Sequence, residues 1–318
     1  MKEHLCRATT VIMLIALIVT TSLAQSRDKV IFPINPHRIY DSQSTIILAA
    51  RAPQAPTAGS TAALSSPLTY HGGPLIDTPT VYFVWYGNWN QTNKSDTPAG
   101  QQLFRNWASG IGGTPHFALN KTLSVANMPI SGNVLFGGET TSSGTRTSLS
   151  DAQILSVINS AITNGKLPYD PSGVYFLIAS SNVTASSGFC TQYCGWHNTA
   201  QISRGTLRYS FIGNANRCLS SCAAQTVSPN NNPGVDASIS VITHELEEAT
   251  TDPDLTGWTN SAGSENGDLC AWTFGQSLLQ LSNGSFYNMT FGGNNWLIQR
   301  NVQKTSAGQF CMVDSTHN

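Results

Sequence analysis

Two spacings of hydrophobic residues alternate along this chain. Pro79-Thr-Val-Tyr-Phe-Val-Trp-Tyr86 and Gly173-Val-Tyr-Phe-Leu-Ile-Ala179 are near-continuous β-branched and aromatic runs, which predict buried strands, and Leu207-Arg-Tyr-Ser-Phe-Ile212 predicts a third. Between them the period lengthens. Within Leu149–Ile162 the residues Ile154, Val157, Ile158 and Ala161 fall at i, i+3, i+4 and i+7, one apolar face of a helix. Thr97–Trp107 reads as another helix. Asp236 is placed to cap a third, whose apolar stripe is Ile239, Ile242, Leu246 and Ala249 and which Asp252-Pro253 stops. Short strands are predicted around Ser285–Phe291 and Trp296–Val302. Strands alternating with helices imply an α/β or α+β domain on a central sheet.

The N-terminal region breaks this pattern. Lys2 and Arg7 flank the start of the apolar run Val11–Val19, which is too short to cross a bilayer, and Ser22-Leu-Ala24 offers small residues for cleavage. Residues 1–24 are therefore expected to be a signal peptide, and the mature protein to be secreted, with no membrane contact. Residues 25–67 are expected to be poorly structured; 49–67, rich in Ala, Pro and Ser, form a linker or part of a propeptide. One domain is expected over 68–318. Loss of Cys6 with the signal leaves Cys190, Cys194, Cys218, Cys222, Cys270 and Cys311, an even set that predicts disulfides in any of about 15 pairings. The two C-x3-C pairs would also suit a zinc knuckle, which an oxidising compartment disfavours. Asn90, Asn93, Asn120, Asn182, Asn283 and Asn288 each begin a glycosylation sequon, used only in a eukaryotic host.

Charge is scarce, 10% of residues with a net charge of -1, so a phosphate backbone is not the partner. The expected partner is an extracellular peptide or a cell-wall glycan, met by a monomer. What changes the picture is where the few acids sit. Of the 16 left after Glu3 is removed from 17, eight lie between Asp236 and Asp268, a stretch with no Lys or Arg and with His244 as its one base. Crowded carboxylates repel one another, so such a cluster points to a counter-cation.

His244-Glu245-Leu246-Glu247-Glu248 gives that cation a place. His244 and Glu248 are i and i+4 on the predicted helix and project from one face, with Glu245 turned about 100° from His244. This is H-E-x-x-E, a variant of the H-E-x-x-H zinc-protease helix in which the inner Glu is the general base. A catalytic zinc needs a further protein ligand; Glu265 is preferred, then Asp268, then Asp254. His with carboxylates favours one zinc ion, and another divalent cation, such as manganese or iron, would also fit. No Gly-x-Ser-x-Gly elbow and no phosphate-binding Gly loop is present, which leaves serine-hydrolase and nucleotide chemistry without support.

Several blocks stand out: Leu68-Thr-Tyr-His-Gly-Gly-Pro-Leu75, Val84-Trp-Tyr-Gly-Asn88, Gly188-Phe-Cys-Thr-Gln-Tyr-Cys-Gly-Trp-His197, Phe211-Ile-Gly-Asn214, Cys218-Leu-Ser-Ser-Cys222 and Thr250-Thr-Asp-Pro253, with the late Tyr287 and Cys311. Together they resemble the EXORDIUM / phosphate-induced protein 1 family of secreted proteins. The resemblance implies an extracellular, wall-associated protein with no settled activity. Plant members usually lack His-Glu-x-x-Glu, so its presence here favours a metal-bearing branch. His71 and His197 recur in the matched blocks; His197, close after Cys194, is a further candidate as ligand or catalytic donor. Two functions follow: a secreted metallohydrolase of peptidase type with Glu245 as general base, or a non-catalytic extracellular protein that binds protein or glycan over a structural or degenerate metal site. Trp85, Trp89, Trp196, Trp258 and Trp272 would stack on sugars in the second reading, though core packing is their plainer use.

Overall fold

The near-continuous apolar runs form the middle of a six-stranded sheet in a computed structural model that describes residues 29–33 and 56–317. The expected signal peptide lies outside the described residues. In chain order the strands are Val30–Pro33 (β1), Thr80–Tyr86 (β2), Leu135–Thr141 (β3), Gly173–Ala179 (β4), Tyr193–Ile202 (β5) and Gly205–Gly213 (β6). Their spatial order is β1-β5-β6-β4-β2-β3. The inner strands β6, β4 and β2 pair in parallel with each other and with β3, whereas β5 and β1 close one side antiparallel. Parallel strands covered on both faces have no polar face, and every residue of β4 is buried.

Three helices flank the sheet: Pro98–Gly110 (α1), Asp151–Thr163 (α2) and Pro233–Thr251 (α3). Thr97 caps α1 by accepting from Gly100 N at 3.0 Å. Ser150 and Gln153 form a reciprocal capping box on α2. The third helix starts earlier than expected, because Asn232 rather than Asp236 caps it, with Pro233 in the first turn. It is also not amphipathic. From Val235 onward all but Ala237 are buried, since β5 and β6 cover one side and α1, the segments 215–222 and 294–296 and the helical turn at Phe117–Leu123 pack around the others. Trp107 Nε1 donates to Thr243 Oγ1 at 2.9 Å and joins α1 to α3.

The six domain cysteines form Cys190–Cys218, Cys194–Cys222 and Cys270–Cys311. The two C-x3-C pairs are therefore cross-linked to each other, which removes the zinc-knuckle alternative. One bridge pins β5 three residues before His197. The third joins the segment after Asp268 to the hairpin of Asn301–Thr305 (β7) and Gly308–Met312 (β8).

Residues 56–67, expected as linker, are stitched to the domain. Phe274 N donates to Thr57 O, Gly275 N to Ala58 O, Leu64 N to Gln309 O and Arg300 Nη1 to Ser60 O, at 2.8–3.0 Å. Small side chains carry no hydrophobic signal, and the segment is held by its main chain instead. Val30–Pro33, within the stretch expected to be poorly structured, is a strand of the sheet.

Candidate metal centre

His244 and Glu248 meet on α3 as their spacing requires, with Nε2 and Oε1 2.9 Å apart. Strand β5 brings His197 to the other carboxylate oxygen, Nε2 lying 3.5 Å from Glu248 Oε2 and 3.0 Å from Glu265 Oε2. The loop after α3 supplies Glu265 and Asp268, the latter 3.8 Å from His244 Nε2 through Oδ1. Ligand atoms of His244, Glu248 and Asp268 lie within 4.8 Å of one another, as do those of His197, Glu245 and Glu248. All the residues proposed from sequence as ligands or catalytic groups are thus brought together around Glu248, except two lesser candidates. Asp254 turns away to Arg208 at 2.9 Å, and His71 is exposed beside Thr259 O.

The loop is shaped to deliver these groups. Asp268 N donates to Glu248 Oε1 at 3.1 Å and Glu265 N to Asp268 Oδ2 at 3.2 Å. Gly267 packs so closely on the helix that a Cβ there would sit 2.6 Å from His244 Nδ1, so only glycine fits. Between the two acids, Asn266 accepts from Thr251 Oγ1 at 2.9 Å and donates to Asn120 and Asn301 at 3.1 Å. Gln299 Nε2 donates to Gly267 O at 3.1 Å and lies 2.7 Å from His244 Nδ1. Coordination through His244 Nε2 requires that amide turned, so that Gln299 Oε1 accepts from Nδ1–H in exchange for the bond to Gly267 O. His116 completes the surround, with Nε2 2.9 Å from Glu247 Oε1 and Nδ1 2.6 Å from Val313 O.

Burial sets the electrostatics. His197, His244, Glu245, Glu248 and Glu265 are at most 1% exposed. Among the described residues no Lys or Arg enters the ion pairs of Glu247, Glu248, Glu265 or Asp268. Burial, reinforced by neighbouring carboxylates, drives Glu248 and Glu265 well above the usual carboxylate range. Burial and the charge of Glu248 push Asp268 up to about 7. The imidazoles move the other way, His197 to about 3 and His244 to about 4, because burial opposes their cationic forms. Glu248 Oε2 has no hydrogen-bond partner. Neutral imidazoles, carboxyls that a dry interior keeps from ionising and an unsatisfied oxygen aimed among them make a donor set that fits a divalent cation. The same set suits zinc, manganese or iron.

The profile described as "Phosphate-induced protein 1 conserved region" matches residues 120–298, more than half of the chain. Protein EXORDIUM-like 3 of Arabidopsis thaliana is 32% identical over 276 residues, covering 73% of this chain and 79% of the relative. The chain belongs to the phosphate-induced protein 1 family. Protein EXORDIUM-like 5 of the same plant is 27% identical, covering 73% of this chain and 74% of that relative. No solved structure matches. The family region holds α3, the acidic loop and His197, while His116, Gln299 and Cys311 fall outside it.

Sequence reading missed His116, Asn120, Asn266 and Gln299. His116 showed no pattern, and Asn120 was noted only as a sequon. Asn120 is fully buried, its Oδ1 accepting from Asn266 at 3.1 Å and Asn301 at 2.9 Å, whereas Asn90, Asn93, Asn182 and Asn283 are exposed. Glycan mapping of protein made in a eukaryotic host should find Asn120 unmodified. Asn120→Ala should cost about 2 kcal/mol in denaturant unfolding, because two buried amides lose their acceptor.

Proposed function

We propose that this family member is a secreted, metal-dependent hydrolase that cleaves peptide bonds. The observation that carries the reading is that two groups able to hold an ion, His244–Glu248–Asp268 and His197–Glu245–Glu248, share Glu248, with Glu265 against His197 and no Lys or Arg in the pairs. His244, Glu248 and Asp268, with Glu265 nearby, would hold the ion, zinc first among the candidates. A bound divalent cation supplies Lewis acidity to a water and to a substrate carbonyl. With an ion held there, Glu245 would be the base that accepts a proton from the attacking water and returns it to the leaving amine. His197, which lies between Glu248 and Glu265, would orient the group that accumulates charge.

A second reading, a structural ion in a non-catalytic extracellular protein, is favoured by the near-complete burial of His197, His244, Glu245, Glu248 and Glu265. Its glycan-binding form loses support, because all seven tryptophans are at most 7% exposed and none offers a stacking face. Elemental analysis of secreted protein never exposed to chelator tests the metal itself. About one divalent ion per chain is expected, lost in Glu248→Ala. Metal-free protein in both samples would reduce the cluster to a set of buried neutral acids and end the proposal.

A further inference from the structure

Strand β1 covers one part of one edge. It pairs antiparallel with β5 from Tyr193 to His197, with Val30 opposite His197, Ile31 opposite Trp196, Phe32 opposite Gly195 and Pro33 opposite Tyr193. Beyond His197, β5 continues to Ile202, and among the described residues no strand pairs with its outer side there. The covered part is therefore the part that carries the candidate site. Gly195 lies directly on α3: a Cβ there would meet Val241 Cγ1 at 2.5 Å and Glu245 Oε1 at 3.1 Å. Strand β1 also touches α3 and runs one strand spacing, about 4.8 Å, from that glycine.

The residue before β1 is held by its charge. Lys29 Nζ donates to Ser187 Oγ at 2.6 Å and to Asp151 Oδ2 at 2.9 Å, and lies 4.4 Å from the Tyr193 ring centroid and 5.1 Å from that of Trp196. A carboxylate, a hydroxyl and two aromatic faces around one ammonium make a cup selective for a cation. An extended main chain added to a sheet edge, with one side chain read by a pocket, is how sheet edges bind peptides.

We propose that the β5 edge from Tyr193 to His197, with the Asp151–Ser187–Tyr193 cup, is a binding site for an extended peptide strand preceded by a Lys, and that Lys29–Pro33 of this chain occupies it. The site excludes other peptides until the N-terminal segment is cut and leaves. As a statement of substrate class and self-inhibition it rests on the hydrolase reading, but as a binding site it stands on the sheet geometry alone.

The test uses full-length secreted protein with a specific protease sequence in place of residues 43–48. A fluorescent synthetic peptide of residues 27–35 is titrated before and after cleavage and followed by anisotropy. Cut protein should bind it at least tenfold more tightly than uncut protein, since the tethered strand competes at an effective concentration of about millimolar. The Lys29→Ala peptide should bind about tenfold more weakly. The uncut double variant Val30→Pro, Ile31→Pro should bind the labelled peptide without cleavage, because hydrogen-bonded and non-bonded pairs alternate and two consecutive prolines remove whichever N–H the ladder uses. Equal binding by cut and uncut protein, no binding by the cut protein or the double variant, or no effect of Lys29→Ala would overturn the proposal. So would loss of the double variant's cooperative thermal transition, which would make β1 an ordinary structural strand. Metal content measured on the same samples separates the two ideas: peptide binding by metal-free protein sinks only the metal centre, and metal without peptide binding sinks only the edge site.

Discussion

Glu245→Gln should lower peptide hydrolysis by about 10³-fold while leaving the metal content unchanged. Gln keeps the shape and the burial of the side chain but cannot accept a proton, so the loss isolates base function from packing. The control is its helix neighbour Glu247, whose carboxylate pairs with His116 and belongs to neither group of ligand atoms around Glu248. Glu247→Gln should retain turnover within a few-fold. Because Glu245 also lies within ligand distance of His197 and Glu248, a second result is informative. If Glu245→Gln removes the ion along with activity, Glu245 is a ligand and the base lies elsewhere. Full turnover with the ion in place would reject the mechanism.

Metal removal is the second large effect, and its sign depends on pH. Stripping the ion should cost about 4 kcal/mol at pH 8, the linkage expected when the free ion exceeds its dissociation constant a thousandfold, and less at pH 6.5. Without the ion, burial raises Glu248 and Glu265 well above their unfolded values and Asp268 to about 7. The native state then binds more protons than the unfolded one, so stability falls as pH rises from the unfolded carboxylate range through these values, by about 1.4 kcal/mol per proton per pH unit. His116 adds to the trend. Burial lowers its pKa, but Glu247 and the Val313 carbonyl outweigh burial and leave it raised, so its contribution is complete below about 6.5 and lost as pH rises through the folded value. His197 and His244, lowered to about 3 and 4, act oppositely: the unfolded imidazoles take up protons near 6.5, and stability falls below that pH. From pH 6.5 to 8 this opposition fades, as the unfolded imidazoles lose their protons, and the carboxylates and His116 come to dominate. Denaturant unfolding of loaded and chelator-treated protein across that window should show a gap that widens with pH. A constant gap, or none, would mean that these carboxylates do not hold the ion.

The strands β2, β4 and β6 and the helices α1 and α2 were legible because continuous apolar runs and 3.6-residue spacing are local signals. Strand β3 was not: Leu135-Phe-Gly-Gly-Glu-Thr-Thr141 is mostly half-exposed, and its position at the sheet edge comes from pairing with β2. Strand β5 was invisible because Cys194, Gly195 and His197 break any alternation; its two neighbours and the disulfide to Cys222 hold it. The end of α3 at Asp252 was readable from Pro253. Its all-round burial was not, since the residues that cover it come from distant parts of the chain.

The sequence by itself determined the family, the even cysteine set and a charge distribution in which half of the acids that follow the expected signal peptide crowd into one stretch without a Lys or Arg. The spacing of His244, Glu245 and Glu248 is a property of one helix turn, so their relative placement was fixed before any packing. Tertiary structure decided the rest. It chose one cysteine pairing, sent Asp254 to Arg208, and set His116 against Glu247 and Gln299 against His244. It also brought His197, Glu265 and Asp268 to the same carboxylate from a strand and a loop. These contacts join residues tens of positions apart, and a buried ionisable group has no local sequence mark. Only when the chain closes around it does the loss of water move its pKa and leave it in need of a cation.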